Sequence, residues 1–433
     1  MFKRLLIFTS LGCILYACTS PKATEVSEEE TPKEIIDQVA IARLDSTLQS
    51  FVEAGKIAGI SALIYEKGEE KYFKALGYSD REDSIPMARN TLAIIYSMTK
   101  PVTGAALMTL YDEGKFQLDD PLSKYLPAFA NPQVYTGVDA EGNVLTEPAN
   151  RPITIRDITR HTAGFVNRGD IPGLGKMWNE LDIYNPEGSL AEMGKKLSSI
   201  PLWYQPGTQW EYGISVDIQA LLVETIAGKP YKEYLRENVL APLGMDETRY
   251  YVPETDIERL TALYHLGEDG VLNRVPDEQG RGFHISDASL TPGGWGLTST
   301  LDDYTKLAQM YLNKGTLNGA TILQPETVTL MSTSHLPDSI TERSWLPSKG
   351  QVGFGIDFAV RVAPPANAEE NNGVVGEFFW DGAASTLFWV DPVNELTAVM
   401  FVQLFPYDQI GLHKGFRNAI YGPFEPVKEN TEM

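Results

Sequence analysis

Ser97-Met98-Thr99-Lys100 sets a hydroxyl and an amine three residues apart, a spacing that brings both to one face of a helix. That pairing is the arrangement of an activated serine nucleophile, whose proton is removed by a neighbouring base. A lysine serves as that base only when neutral, a form that buried or charge-crowded positions favour. The apolar flanks of Lys100 fit this need. Ile94-Ile95-Tyr96 leads in, and Pro101 to Tyr111 continues with apolar residues at helical spacing until Gly114 supplies a stop. Pro101, tolerated mainly in a first helical turn, keeps Ser97 near the helix N-terminus, where free N–H groups and the positive dipole end favour an anionic oxygen.

Such a pair needs a second proton carrier for the leaving group and donors for an oxyanion. Tyr212 is the best candidate carrier: it lies in Gln205-Pro206-Gly207-Thr208-Gln209-Trp210-Glu211-Tyr212-Gly213-Ile214-Ser215, a turn-rich lead into a helix predicted over Val216 to Ile226.

The elements that must position these residues follow from periodicity. Ile35 to Val52 carries a helical apolar stripe, and Ile57 to Tyr65 with Lys71 to Tyr78 reads as a β-hairpin. From about residue 100 to 345, helical stripes alternate with Pro- and Gly-containing loops, and Ser299-Thr300-Leu301-Asp302-Asp303 is a helix start. Strands return at Gly353 to Val360, Gly376 to Trp380, Thr386 to Val390 and Leu396 to Leu404. The expected fold is α/β of the α+β type: a mainly antiparallel sheet from both chain ends (about 34–96 and 350–433), flanked by helices, with a large helical region (about 97–349) inserted. Residues 34–433 form one domain in this reading.

Several blocks, in order, resemble the serine β-lactamase-like superfamily, which holds the class C β-lactamases, D-alanyl-D-alanine carboxypeptidases and related esterases and acyltransferases. Ser97 to Lys100 resembles its nucleophile tetrad, and Leu118-Asp119-Asp120-Pro121-Leu122 the segment after its first helix. Ile153 to Ile158 with His161-Thr162-Ala163-Gly164-Phe165 resembles its threonine-histidine turn, and Pro206-Gly207 to Tyr212 its tyrosine block. Pro242-Leu243-Gly244-Met245 and Gly293-Gly294-Trp295-Gly296-Leu297 resemble later landmarks. The resemblance spans about residues 57 to 405. It implies Ser97 as nucleophile, Lys100 as its base and Tyr212 as the phenol sharing proton transfer. Trp380-Asp381-Gly382-Ala383 falls at the family's third element, so the N–H groups of Ala383 and Ser97 would form the oxyanion hole. His161 is expected to shape its turn.

Two departures bear on substrate. Tyr212-Gly213-Ile214 stands where the family has Tyr-x-Asn, so the side-chain amide that orients an acyl amide is missing. Trp380-Asp381-Gly382 replaces Lys-Thr-Gly, which removes a carboxylate-attracting lysine and adds an acid expected to repel such a group. Trp-x-Gly, and Asp217 five residues after the tyrosine, resemble the esterase and acyltransferase branch. Trp203, Trp210, Trp295, Phe379 and Trp380 are candidates for an apolar acyl pocket. The reading is a serine hydrolase of uncharged carboxylic esters, with acyl transfer as a variant. The alternatives are a β-lactamase or D-amino-acid peptidase, using Arg281 or Arg343 as the missing cation, and a penicillin-recognising module that acylates without turnover. No metal or organic cofactor is implied.

At the N-terminus, Lys3-Arg4, the mostly apolar run Leu5 to Tyr16 and Leu15-Tyr16-Ala17-Cys18 have the layout of an export signal. It resembles a bacterial lipoprotein signal (1–17) with Cys18 as lipid acceptor, followed by a Ser-, Thr-, Pro- and Glu-rich tether (18–33). A lipid anchor in the cell envelope, periplasmic or outer-membrane, is expected. The net charge of −22 argues against nucleic-acid binding.

Overall fold

The computed structural model describes residues 34–165 and 167–426. The signal segment, Cys18 and the tether lie outside them. Among the described residues no helix is long and apolar enough to cross a membrane.

The two chain ends do build one sheet. Gly59–Glu66, Glu69–Asp80 and Ile85–Pro86 come from the N-terminal side; Val352–Phe354, Ala359–Arg361, Phe378–Asp381, Leu387–Asp391 and Leu396–Phe401 come from the C-terminal side. Every pairing is antiparallel. The halves meet where Gly59–Glu66 pairs with Leu396–Phe401, Ser61 opposite Phe401 and Glu66 opposite Leu396. Both strands are buried almost throughout, so apolar residues run continuously rather than alternating. The first hairpin turns at Lys67 and Gly68, both at positive φ, as the tight turns that match strand twist require.

Two predicted strands are divided. Gly353 to Val360 is a hairpin that folds back on itself, with Val352 opposite Arg361 and a turn in which Asp357 has φ +64°. Leu396 to Leu404 breaks after Phe401, and Leu404–Phe405 leaves the sheet to pair in parallel with Tyr264–Leu266.

The inserted region centres on the helix Thr99–Asp112, buried at every position from Thr99 to Leu110. A helix apolar on all sides belongs in a core. It packs on Ser215–Ala227, and Leu301–Leu312 covers the sheet beside Leu396–Phe401. The Thr300 side chain caps this last helix by accepting from Asp303 N. One small pairing, Ala93–Ile94 with Thr298–Ser299, ties the segment before Ser97 to the glycine loop at 293–297.

Candidate active site

Ser97 lies in a single 3₁₀ turn, Tyr96–Met98, that runs into the buried helix at Thr99. The residue before it, Tyr96, has φ +44°, a strained conformation for a bulky residue that costs on the order of 1–3 kcal/mol and persists only where its surroundings impose it. Its ring packs edge-on against Phe405 at 5.6 Å. Across from it, Gly382 ends the strand Phe378–Asp381 so close that a Cβ there would stand 2.6 Å from Ile95 O and 2.2 Å from Thr386 Oγ1. Only glycine brings this strand end against the turn that carries Ser97.

The helical spacing delivers Lys100 to Ser97: Nζ donates to Ser97 Oγ at 3.2 Å and to Gly294 O at 2.7 Å. Lys100 is buried, and its Nζ stands 4.7 Å from the centre of the Tyr212 ring. Gly294 is fixed by Asp217 Oδ1, which accepts its N–H at 2.8 Å, while Tyr184 donates to Asp217 Oδ2 at 2.6 Å. Burial raises the Asp217 carboxyl, against the opposing effects of the Tyr184 hydrogen bond and the Lys100 charge.

Tyr212 is braced on three sides. Trp380 Nε1 donates to its hydroxyl at 3.2 Å, Trp345 packs edge-on at 5.2 Å, and His161 lies at 4.7 Å. His161 is fully buried at φ +58°. Its Nδ1 accepts from Gly213 N at 3.4 Å, and burial, then Lys100, push its pKa well below the usual imidazole value. It is a neutral ring that shapes the turn behind Tyr212.

Two cavities meet at the serine. One of about 420 Å³ is walled by Trp345, Lys349, Trp380, Asp381 and Tyr407. The other, about 330 Å³, is walled by Lys100, Asn167, Tyr184, Ile214, Asp217 and Trp295. Ser97, Tyr212 and Ala383 line both. The arrangement can activate a hydroxyl, hold an acyl group on one side and a leaving group on the other, and move a proton between them. The sequence model of the family described as Beta-lactamase matches residues 44–419.

The chain belongs to the beta-lactamase family. An uncharacterized protein of Mycobacterium tuberculosis is 33% identical, covering 83% of this chain and 89% of its own. The lovastatin esterase of Penicillium rubens is 26% identical over 89% of this chain and 99% of its own. The solved structure of EstCE1, a hydrolase with promiscuous acyltransferase activity, superposes with a TM-score of 0.72 at 28% identity, over 90% of this chain and 100% of its own.

Within this beta-lactamase family site, several sequence expectations change. Of the five aromatic candidates, Trp295 and Trp380 reach the cavities. Trp203 instead stacks on Tyr135, Trp210 is buried behind Tyr212, and Phe379 lies beneath the Arg417 guanidinium. Asp381 does enter the cavity wall, but as half of an ion pair with Lys349, so it adds no net charge there. Neither proposed replacement cation stands at the site: Arg281 is committed to Asp80 at 2.8 Å and Thr261 O, and Arg343 to Ile340 O. Lys349, Trp345, Tyr184 and Tyr407 were not picked out from sequence. They sit on loops or a short 3₁₀ turn without periodicity, and their site partners Asp381, Tyr212 and Asp217 come from distant parts of the chain.

Proposed function

We propose that the protein is a serine esterase acting on uncharged carboxylic esters. The observation that carries this reading is the Trp380 Nε1 hydrogen bond to the Tyr212 hydroxyl. The strand position that in the family's peptidase-like pattern offers a lysine to a substrate carboxylate is here spent on orienting the phenol. Ile214, in the place of the amide-binding Asn, lines the other cavity with a hydrocarbon. An ester needs neither the lysine nor the amide.

In this mechanism Lys100 takes the Ser97 proton as Oγ attacks the ester carbonyl, with the N–H groups of Ser97 and Ala383 facing the oxyanion. The carbonyl–oxygen bond to the leaving group breaks, and Tyr212 passes it a proton, releasing an alcohol. Water then attacks acyl-Ser97 with the proton flow reversed, releasing the acid and restoring Ser97. An alcohol in place of water gives acyl transfer, an activity named for the similar EstCE1. We further propose that Cys18 anchors the enzyme to a bacterial envelope membrane through lipid.

The test is turnover of p-nitrophenyl butyrate and of a chromogenic cephalosporin by the purified protein, with intact-mass detection of adducts. Ester turnover that vanishes in Ser97→Ala, with little cephalosporin cleavage, is the expected result. Efficient cephalosporin turnover would replace the esterase reading with a β-lactamase one, and a stable adduct without turnover would make the protein a binding module.

A further inference from the structure

The larger cavity carries a buried ion pair in its wall. The Lys349 ammonium donates to Asp381 Oδ2 and to the Tyr407 hydroxyl, and Tyr407 donates to the same carboxylate oxygen at 2.6 Å. The two charged side chains are 5% and 8% exposed. Three rings surround the ammonium, Tyr407 at 4.4 Å, Trp345 at 5.3 Å and Trp380 at 5.7 Å from their centres. His413 Nδ1 stands 3.2 Å behind the Tyr407 hydroxyl. Tyr212 and Ser97 face the same space, and the Tyr212 hydroxyl is held on this side by Trp380. A phenol that protonates the departing oxygen assigns this cavity to the leaving group.

We infer that Asp381 sets the charge this cavity accepts: by pairing with Lys349 it makes the wall neutral, so the cavity admits an uncharged leaving group and turns away a carboxylate-bearing one. The identity of the entering group rests on the esterase reading; the neutralisation of Lys349 does not. Two of the ammonium's three N–H donors are already committed. A carboxylate entering beside the pair meets Asp381 as well as Lys349, and exchanges water for rings without gaining an unshared cation. Remove the Asp381 charge and the balance inverts. Lys349 becomes a lone buried cation among aromatic rings, a costly state that an anionic guest relieves.

The experiment compares pairs of probes in which one member carries a carboxylate and the other is uncharged. Benzoate and benzamide binding are measured by calorimetry on the wild type, Asp381→Asn and the double variant Lys349→Met/Asp381→Asn. Turnover of phenyl butyrate and 3-carboxyphenyl butyrate is measured on the same proteins. The wild type should favour the uncharged member of each pair by about tenfold or more. Asp381→Asn should shift both ratios at least about tenfold toward the carboxylate, and the double variant should lose that gain. A wild type that binds benzoate as well as or better than benzamide overturns the inference, and this arm decides even if Asp381→Asn does not fold. So does an unchanged ratio in folded Asp381→Asn. If the wild type turns over neither ester, the esterase reading falls while the calorimetric ratios still decide the role of Asp381.

Discussion

Asp217 and Lys100 are joined through one residue: Gly294 gives its N–H to Asp217 at 2.8 Å and its carbonyl to Lys100 at 2.7 Å. The carboxylate on one helix thus sets where the amine on another can sit. Asp217→Ala leaves the Gly294 N–H and the Tyr184 hydroxyl without their partner in a buried site. We expect kcat on p-nitrophenyl butyrate to fall by about tenfold or more with KM little changed. Asp217→Asn, which keeps an acceptor for Gly294, should recover most of the loss. Equal activity of Asp217→Ala and wild type would detach Asp217 from the placement of Lys100.

Ser97 and Lys100 should behave as a unit. Each alanine substitution is expected to lower kcat by on the order of a thousandfold, and the double variant to be scarcely worse than either single one. Losses that multiply would mean that the two side chains act independently.

The indole N–H of Trp380 can be removed without its ring volume being lost entirely. Trp380→Phe should reduce kcat by roughly tenfold, the worth of one hydrogen bond of about 1.4 kcal/mol, and should do so only while Tyr212 is present. A Tyr212→Phe background in which Trp380→Phe still costs as much would place its effect in packing. Steady-state kinetics of the four proteins gives the coupling directly.

Asp357 offers a pH test of stability away from the chemistry. It is fully buried in the turn at 355–358. Gln219 donates to Oδ1 at 2.8 Å, and Oδ2 has no partner among the described residues. Gly104 in the central helix leaves room for that oxygen, since a Cβ there would lie 2.7 Å from it. Burial raises the Asp357 carboxyl well above the ordinary carboxylate range, so the folded protein keeps it protonated where the unfolded chain, ionising near ~3.9, does not. Above that pH the folded state holds the extra proton, and stability falls by up to about 1.4 kcal/mol per pH unit until the folded-state value is reached. Asp357→Asn removes the titration and suits the positive φ. Its melting temperature should lie close to wild type near pH 3 and exceed it by a widening margin as pH rises above about 4. A constant difference across that range would show that Asp357 does not titrate on unfolding.

The proposed anchor is checked by feeding cells a radiolabelled or clickable palmitate. The full-length chain should take up label and fractionate with membranes, and Cys18→Ser should do neither. Label retained in Cys18→Ser would place any acylation elsewhere.

What could be read from the sequence was whatever depended on near neighbours. Ser97 and Lys100 were legible because a three-residue spacing along helical backbone determines their contact, and the start of Leu301–Leu312 because Thr300 and Asp303 lie within one turn. The hairpin at Val352–Arg361 was not, because its turn residues Gly355 and Asp357 stand singly among Phe354, Ile356 and Phe358 and leave the segment reading as one apolar strand. Lys349 was the costliest omission. It stands on a short 3₁₀ turn, Leu346–Lys349, and its partners Asp381 and Tyr407 come from a distant strand end and a loop. Without them, Trp380-Asp381-Gly382 suggested an uncompensated negative charge. Trp203, Trp210 and Phe379 missed the cavities for a related reason: composition marks an aromatic as a candidate for burial, but only packing decides whether its ring faces a cavity or the core.

The seam between Gly59–Glu66 and Leu396–Phe401 also governs how a ribosome can make this molecule. The first hairpin emerges early, yet the backbone groups along its inner edge wait for a partner that is translated only near the end. Until residue 396 has emerged, one apolar strand carries an open row of donors and acceptors, the kind of edge that recruits other chains. Release of an incomplete product would leave that edge permanently exposed, so premature termination yields a sticky fragment rather than a smaller enzyme.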